Sequence, residues 1–207
     1  MHSLVNVSVV MRSAEFDRSV VLENAMQTFM ELGYAKASMQ KLTHATGLHP
    51  GSIYCAFGSK KGLFLAAVSH YQQQKRDAFE QLFHPDKPVL TSLDELLADT
   101  VTQCLENTCA KVCLLTRSLN EIEGQDPEIA TILSDNLKQL ETSLAKHIAR
   151  AQKEGENVRN DDALTLARFF TMGIYGMRTY AFTHPDQHIL STMAEQLIAA
   201  IKSRDLN

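Results

Sequence analysis

The sequence predicts an all-α chain, with a three-helix N-terminal unit followed by a longer helical body. Apolar residues recur at helical spacing from Phe16 to the C-terminus. The segments are separated by cap residues and glycines, with no strand-like alternation long enough to compete. Hydrophobic residues make up 44%, enough for a buried core, and no apolar run nears the ~20 residues of a membrane span.

The elements follow in order. "FDRSVVLENAMQTFMELG" places Leu22, Ala25, Met26 and Phe29 on one stripe, with Asp17 as N-cap and Gly33 as stop. Ser38 caps a short second helix, Met39 to Thr46. Gly47 then supplies the positive φ that a tight helix–helix turn requires. Pro50 suits the first turn of a third helix, because its missing N–H would have no partner there anyway. That helix ends near Ala56, before Gly58. Ser59 caps a fourth, running from Lys60 towards Phe79. "FHPDKP" reads as a loop, and helices are expected at about 89–107, 109–123, 126–154, 161–182 and 186–203. The clearest breaks among them are "GQDPE" and "EGENVRNDD". Residues 1–14 form an extension; "MHSLVNVSVV" lacks the basic leading region of a signal peptide, and Asn6 and Ser8 interrupt it.

Net charge is −4, but it is unevenly spread. Residues 1–61 carry six basic against four acidic side chains, +2, leaving −6 for the remainder. A basic head on an acidic body fits a module that meets a polyanion at one end. The four cysteines, Cys55, Cys104, Cys109 and Cys113, do not form a secreted disulfide framework, which points to a reducing, cytoplasmic setting.

Two short helices joined by a glycine turn, with a longer helix behind, make a helix-turn-helix. A major groove admits one α-helix, and phosphate contacts on both flanks fix its register. Pro50, Gly51 and Ser52 form the first turn of the expected recognition helix, and the bare Gly51 lets backbone come close to DNA. His49 can donate or accept at a base edge or phosphate. Tyr54 can reach phosphate with its hydroxyl, while Ile53 and Phe57 point into the small core. Lys60 opens the next helix, where positive charge meets exposed N–H groups. Ser38, Gln40 and Lys41 begin the second helix on the other flank.

"GYAKASMQKLTHATGLHPGSIYCAFGSKKGLF", with "EFDRSVVLENAMQTFMELG" before it, resembles the DNA-binding region of TetR/AcrR-type transcriptional regulators. The motif match covers residues 15–65, and the helical remainder fits the family in class and length. The resemblance implies a helix-turn-helix DNA-binding domain over 15–62 and a ligand-binding and dimerisation domain over 63–207. It implies a homodimeric repressor that binds double-stranded DNA and answers to a small-molecule effector; no cofactor, metal or membrane is expected. By position, Ser38, His49, Pro50, Gly51, Ser52, Tyr54 and Lys60 become DNA contacts. The sequence departs from the family at three places: the basic arm shrinks to "MRSAEF", Gln40 and Lys41 replace acidic residues, and His49 replaces a Ser or Thr cap.

In the body, "PEIATILSDNLKQLETSLAKHIARAQ" repeats apolar residues at 129, 133, 137, 140, 144 and 148. With "ALTLARFFTMGIYGMRTYAF" it is expected, chiefly because the family resemblance implies it, to build a four-helix dimer interface through Leu137, Leu140, Leu144, Ile148, Gly173, Gly176 and Met177; the same pattern also reads as the core of a monomer. A pocket implied by the resemblance takes Leu105, Leu114, Leu115, Phe169, Phe170, Met172 and Tyr175 as lining; the same residues also read as plain core. Two alternatives stand beside the ligand-released repressor. Cys109 and Cys113 lie one helical turn apart, with Cys104 nearby, a pattern a redox or electrophile sensor could use. A helical enzyme using Cys or His is the other, but no paired carboxylates, phosphate loop or nucleophile elbow supports it. His184 and His188 share an i,i+4 spacing without a third metal ligand in view.

Overall fold

The computed structural model describes residues 16–106, 122 and 126–203. Eight helices are present among them. We number them α1 (Arg18–Lys36), α2 (Met39–Thr46), α3 (Pro50–Phe57), α4 (Lys60–Leu82), α5 (Val89–Glu106), α6 (Pro127–Glu154), α7 (Ala163–Tyr180) and α8 (Gln187–Ile201). The helix expected at 109–123 lies outside the described residues except for Ile122.

The caps explain most boundaries. Asp17 Oδ1 accepts from Ser19 N at 2.9 Å to start α1. Gly33, at φ 79° and ψ 164°, interrupts α1 where the stop was expected, and a last turn follows to Lys36. Asp126, Asp162 and Asp186 cap α6, α7 and α8, accepting from Ile129 N, Thr165 N and Ile189 N. The start of α5 has a distant cap. Glu156, in the α6–α7 loop, accepts from Val89 N at 2.7 Å and Leu90 N at 2.8 Å. This bidentate carboxylate satisfies two N–H groups that the helix itself leaves unpaired.

Two hydrophobic clusters form. The first joins Leu22, Ala25, Met26, Phe29, Leu42, Ile53, Leu63, Phe64 and Ala67 to Ile122, Ile129 and Leu133. The second gathers Leu93, Leu97, Val101, Leu144, Ile148, Leu166, Phe170, Met177, Leu190 and Ile198. Two helices enter both clusters. α4 gives Leu63 and Phe64 to the first, and Phe79 and Leu82 pack against the second. α6 gives Ile129 and Leu133 to the first, and Leu144, Ile148 and Ala151 to the second. Residue 62 therefore falls in the first turn of a helix that serves both.

Several expectations for the body are corrected here. Leu144, Ile148 and Met177 are buried in the protomer's own core and have no surface to offer a partner. Gly173 packs inward; a Cβ there would lie 2.6 Å from Leu197 Cδ1. Leu137 packs against the first cluster, while Leu140 is exposed and Gly176 faces open space. An apolar stripe says that a helix face is covered, not by which neighbour.

The pocket set is dispersed as well. Phe170 is fully buried, but Phe169 and Met172 point outward, Met172 at 63% exposure. Consecutive residues turn by about 100° on a helix, which sets Phe170 in the core while Phe169 faces outward. Leu105 is partly buried against the second cluster and Tyr175 is half-buried. Leu114 and Leu115 lie outside the described residues.

Of the cysteines, Cys104 is sealed in the second cluster, which removes it as an accessible sensor, whereas Cys55 is exposed. Cys109 and Cys113 lie outside the described residues. His184 sits beyond the end of α7, stacked on Tyr180 with ring centroids 4.3 Å apart, while His188 belongs to α8. They do not share a helix. No cluster of three or more potential metal-ligating side chains occurs among the described residues. Among these residues, no helix is long and apolar enough to cross a membrane.

Candidate nucleic-acid interface

The candidate site is built by α2, α3 and the start of α4. Leu42 and Ile53, both without exposed surface, anchor α2 and α3 to the first cluster, and Phe57 packs beside them. Ser38 Oγ accepts from Lys41 N at 3.3 Å, fixing the first turn of α2. Gly47 takes φ 69°, the left-handed conformation that reverses the chain between α2 and α3. Pro50 begins α3, and Gly58, at φ 75°, ends it after two turns. Ser59 Oγ then accepts from Gly62 N at 3.0 Å to begin α4.

This local wiring leaves one side of α3 open. Gly51, Ser52 and Tyr54 are exposed, Tyr54 at 50%, while Ile53 between them is sealed. A Cβ on Gly51 would meet nothing within 4 Å among the described residues, so none of them requires glycine there. His49 is exposed and makes no side-chain capping bond, which leaves its imidazole outward. Ser38, Gln40, Lys41 and Pro50 are exposed as well. No acidic residue occupies the first turn of α2, α3 or α4.

The adjacent lysines have separate partners. Lys60 Nζ stands 4.6 Å from the centre of the Tyr34 ring and donates to the Ala35 carbonyl at 3.3 Å. Lys61 turns the other way. Its Nζ lies 2.8 Å from Asp126 Oδ2 and 2.7 Å from Glu128 Oε2, at the start of α6. Its hydrogen bonds to Asp126 and Glu128 raise the Lys61 pKa, and the Lys61 bond holds Asp126 below the ordinary carboxylate range. Burial, then the charge of Asp126, raise the Tyr34 phenol, with Lys61 opposing.

Three contributors escaped the sequence reading. Tyr34 lies beneath Lys60 Nζ, and the Arg18 guanidinium lies 4.8 Å over the Phe57 ring. Gly62 is the third, since a Cβ there would fall 1.9 Å from the Phe57 carbonyl oxygen. Its signal was a glycine in a helix's first turn, where a better helix former would otherwise serve.

Comparison with known proteins agrees with this geometry. The model of the family "Bacterial regulatory proteins, tetR family" matches residues 21–67. The HTH-type transcriptional regulator YezE of Bacillus subtilis is 32% identical over 159 residues, 76% of this chain and 82% of its own. The chain belongs to the TetR family. This TetR-family protein is also 28% identical to the transcriptional repressor ComR of Escherichia coli, over 80% of each chain. Among solved structures it resembles the TetR-family regulator CifR bound to a 26-base-pair operator duplex. That match has a TM-score of 0.79 at 27% identity and covers 91% of this chain and 99% of the other. The TetR-family chain is thus a DNA-binding transcriptional regulator, and its relatives are regulators rather than enzymes.

Proposed function

We propose that the protein is a homodimeric repressor that reads a near-palindromic operator and is released by a small-molecule effector. One observation carries the DNA-reading assignment. The exposed residues of α3, Gly51, Ser52 and Tyr54, lie in the chain between two helix starts that bear Lys41 and Lys60. Helix N-termini and ammonium groups both favour phosphate, and a short exposed helix between them suits the major groove. Ser38, Gln40, Lys41, His49, Tyr54 and Lys60 act at phosphates or base edges, and Pro50, Gly51 and Ser52 bring the backbone close.

Dimerisation would use the outer face of α7. Phe169, Met172, Gly176 and Tyr180 are exposed at spacings of three and four, with exposed Ile189 on α8 as a further apolar residue. Apolar surface of this kind on neighbouring helices favours burial against a second copy. Two-fold symmetry would set the reading helices about 34–36 Å apart. Repression is supported by the relatives ComR and BdcR, both transcriptional repressors of Escherichia coli. An effector that binds better to a dimer with displaced heads lowers DNA affinity by population shift.

The test is titration of a duplex taken from the DNA flanking the protein's own coding region. Tyr54→Phe with Lys60→Ala should nearly abolish specific binding and leave the dimer intact by light scattering. Unchanged affinity would remove the DNA-reading assignment.

A further inference from the structure

We infer that Arg18 is a phosphate contact of the reading head, held for that purpose on the ring of Phe57. The inference rests on reading α2, α3 and the start of α4 as the side that meets DNA.

Phe57 is the last residue of α3. Two residues at the start of α1 approach its ring. The Arg18 guanidinium lies 4.8 Å from the ring centre, and the Phe16 ring lies 6.4 Å away between centroids. Arg18 is exposed, while Phe57 is half-buried and packs against the first cluster. The Phe57 carbonyl abuts Gly62 in the first turn of α4, so close that a Cβ there would lie 1.9 Å from the oxygen. The platform beneath Arg18 is therefore the end of the reading helix itself.

Within α1 alone, Arg18 is oddly placed. It is the first residue of the helix, where the dipole disfavours positive charge. Asp17 turns its carboxylate onto Ser19 N, Val20 N and the Ser19 hydroxyl. No acidic residue lies in the first turn of α1, and among the described residues no carboxylate pairs with Arg18. A phosphate would offset the unfavourable position. The Phe57 ring attracts the guanidinium without neutralising it. A guanidinium can give its face to a ring and keep its N–H edge for a phosphate, which it grips bidentately.

The position suits that role. α3 is two turns long, about 12 Å, close to the width of the major groove. With its N-terminal turn at the bases, its last turn comes near a bounding strand. Arg18 rides on that last turn and meets the phosphates of that strand.

The experiment measures binding of the full chain to a fluorescein-labelled duplex of random sequence, from low to moderate salt. Random sequence isolates the phosphate part of the interaction. Arg18→Ala should weaken binding about three- to ten-fold and flatten the log–log salt slope by about 0.9 for each head that binds. Arg18→Lys keeps the charge and should keep the slope. Lys138→Ala removes an equal charge from the exposed face of α6 and should leave the slope unchanged. An unchanged slope in Arg18→Ala would overturn the inference. So would Arg18→Lys behaving like Arg18→Ala, which would mean that the shape of the side chain matters and its charge does not. Equal flattening in Lys138→Ala would reduce the effect to net charge and overturn it as well. Lys41→Ala with Lys60→Ala reports on the underlying reading. If that double variant also keeps its affinity and slope, the DNA-facing assignment fails; if it loses both while Arg18→Ala does not, the inference alone fails. A second measurement uses the wild type. The Arg18 δ-methylene protons should be shifted upfield by the Phe57 ring current, and ordinary shifts would overturn the role of Phe57.

Discussion

Lys61 Nζ lies 2.8 Å from Asp126 Oδ2, so the first turn of α4 is tied to the cap of α6. The bond joins residues 65 positions apart and meets α6 at its N-terminus, where a carboxylate is favoured. Asp126 is held below its ordinary 3.8 chiefly by this hydrogen bond. A depressed carboxylate pKa contributes stability above the unfolded value and loses it as pH falls through the folded one. Asp126→Asn keeps a good cap and removes only the charge. The variant should melt below the wild type at pH 7, and the gap should close as pH drops below about 4. A gap constant down to pH 2.5 would show that the charge contributes nothing.

Gly62 and Gly51 should respond oppositely to alanine. At Gly62 a methyl meets the Phe57 carbonyl oxygen at 1.9 Å, and backbone cannot step aside as a flexible side chain can. Gly62→Ala should cost about 1–3 kcal/mol, read as a lower denaturant midpoint. Gly51 has open space around it, so Gly51→Ala should leave stability within about 0.5 kcal/mol while weakening operator binding. If Gly51→Ala binds DNA like the wild type, the backbone of that turn does not approach the duplex.

His147 predicts a second pH dependence, at milder acidity. It stacks on Phe83 at 4.6 Å and faces Phe79 at 5.5 Å between centroids. Burial lowers its pKa from 6.5, with Arg150 and Lys146 adding repulsion. Below the unfolded value the unfolded chain takes up a proton that the folded chain resists, so stability falls as pH drops from about 6.5. His147→Phe keeps a stacked ring and does not titrate. Its melting temperature should decline less than the wild type's between pH 7 and 5; parallel declines would refute the assignment.

Met172 tests the partner surface of α7. At 63% exposure it contributes little to the protomer's core, so Met172→Glu should leave folding stability nearly unchanged. Burying an unpaired carboxylate at an interface is costly, so the variant should shift towards monomer in light scattering at micromolar concentration. A dimer of undiminished affinity would move the interface elsewhere.

The head was legible because its boundaries are chemical. Ser38, Gly47, Pro50, Gly58 and Ser59 each leave a local signature, and each occupies the cap, turn or first-turn position its residue type implies. The body was legible in helices and obscure in contacts. The stripe from Ile129 to Ile148 is apolar throughout, yet its first part covers one core and its last part another. Phe169 and Phe170 are adjacent and chemically identical, and one is exposed while the other is sealed. Only the direction of a helix in space separates such neighbours. The pairing of Lys61 with Asp126, or of Glu156 with the start of α5, joins positions more than 60 residues apart and leaves no mark in local pattern.

Because α4 and α6 each run unbroken from one cluster into the other, no tether separates the reading head from its support. A peptide excised after residue 62 would lack Leu63, Phe64, Ala67 and Leu133, all sealed within the head's own interior. Calorimetry of the intact chain should therefore trace a single melting transition, and a protease nick inside α4 should silence DNA recognition rather than liberate a working fragment.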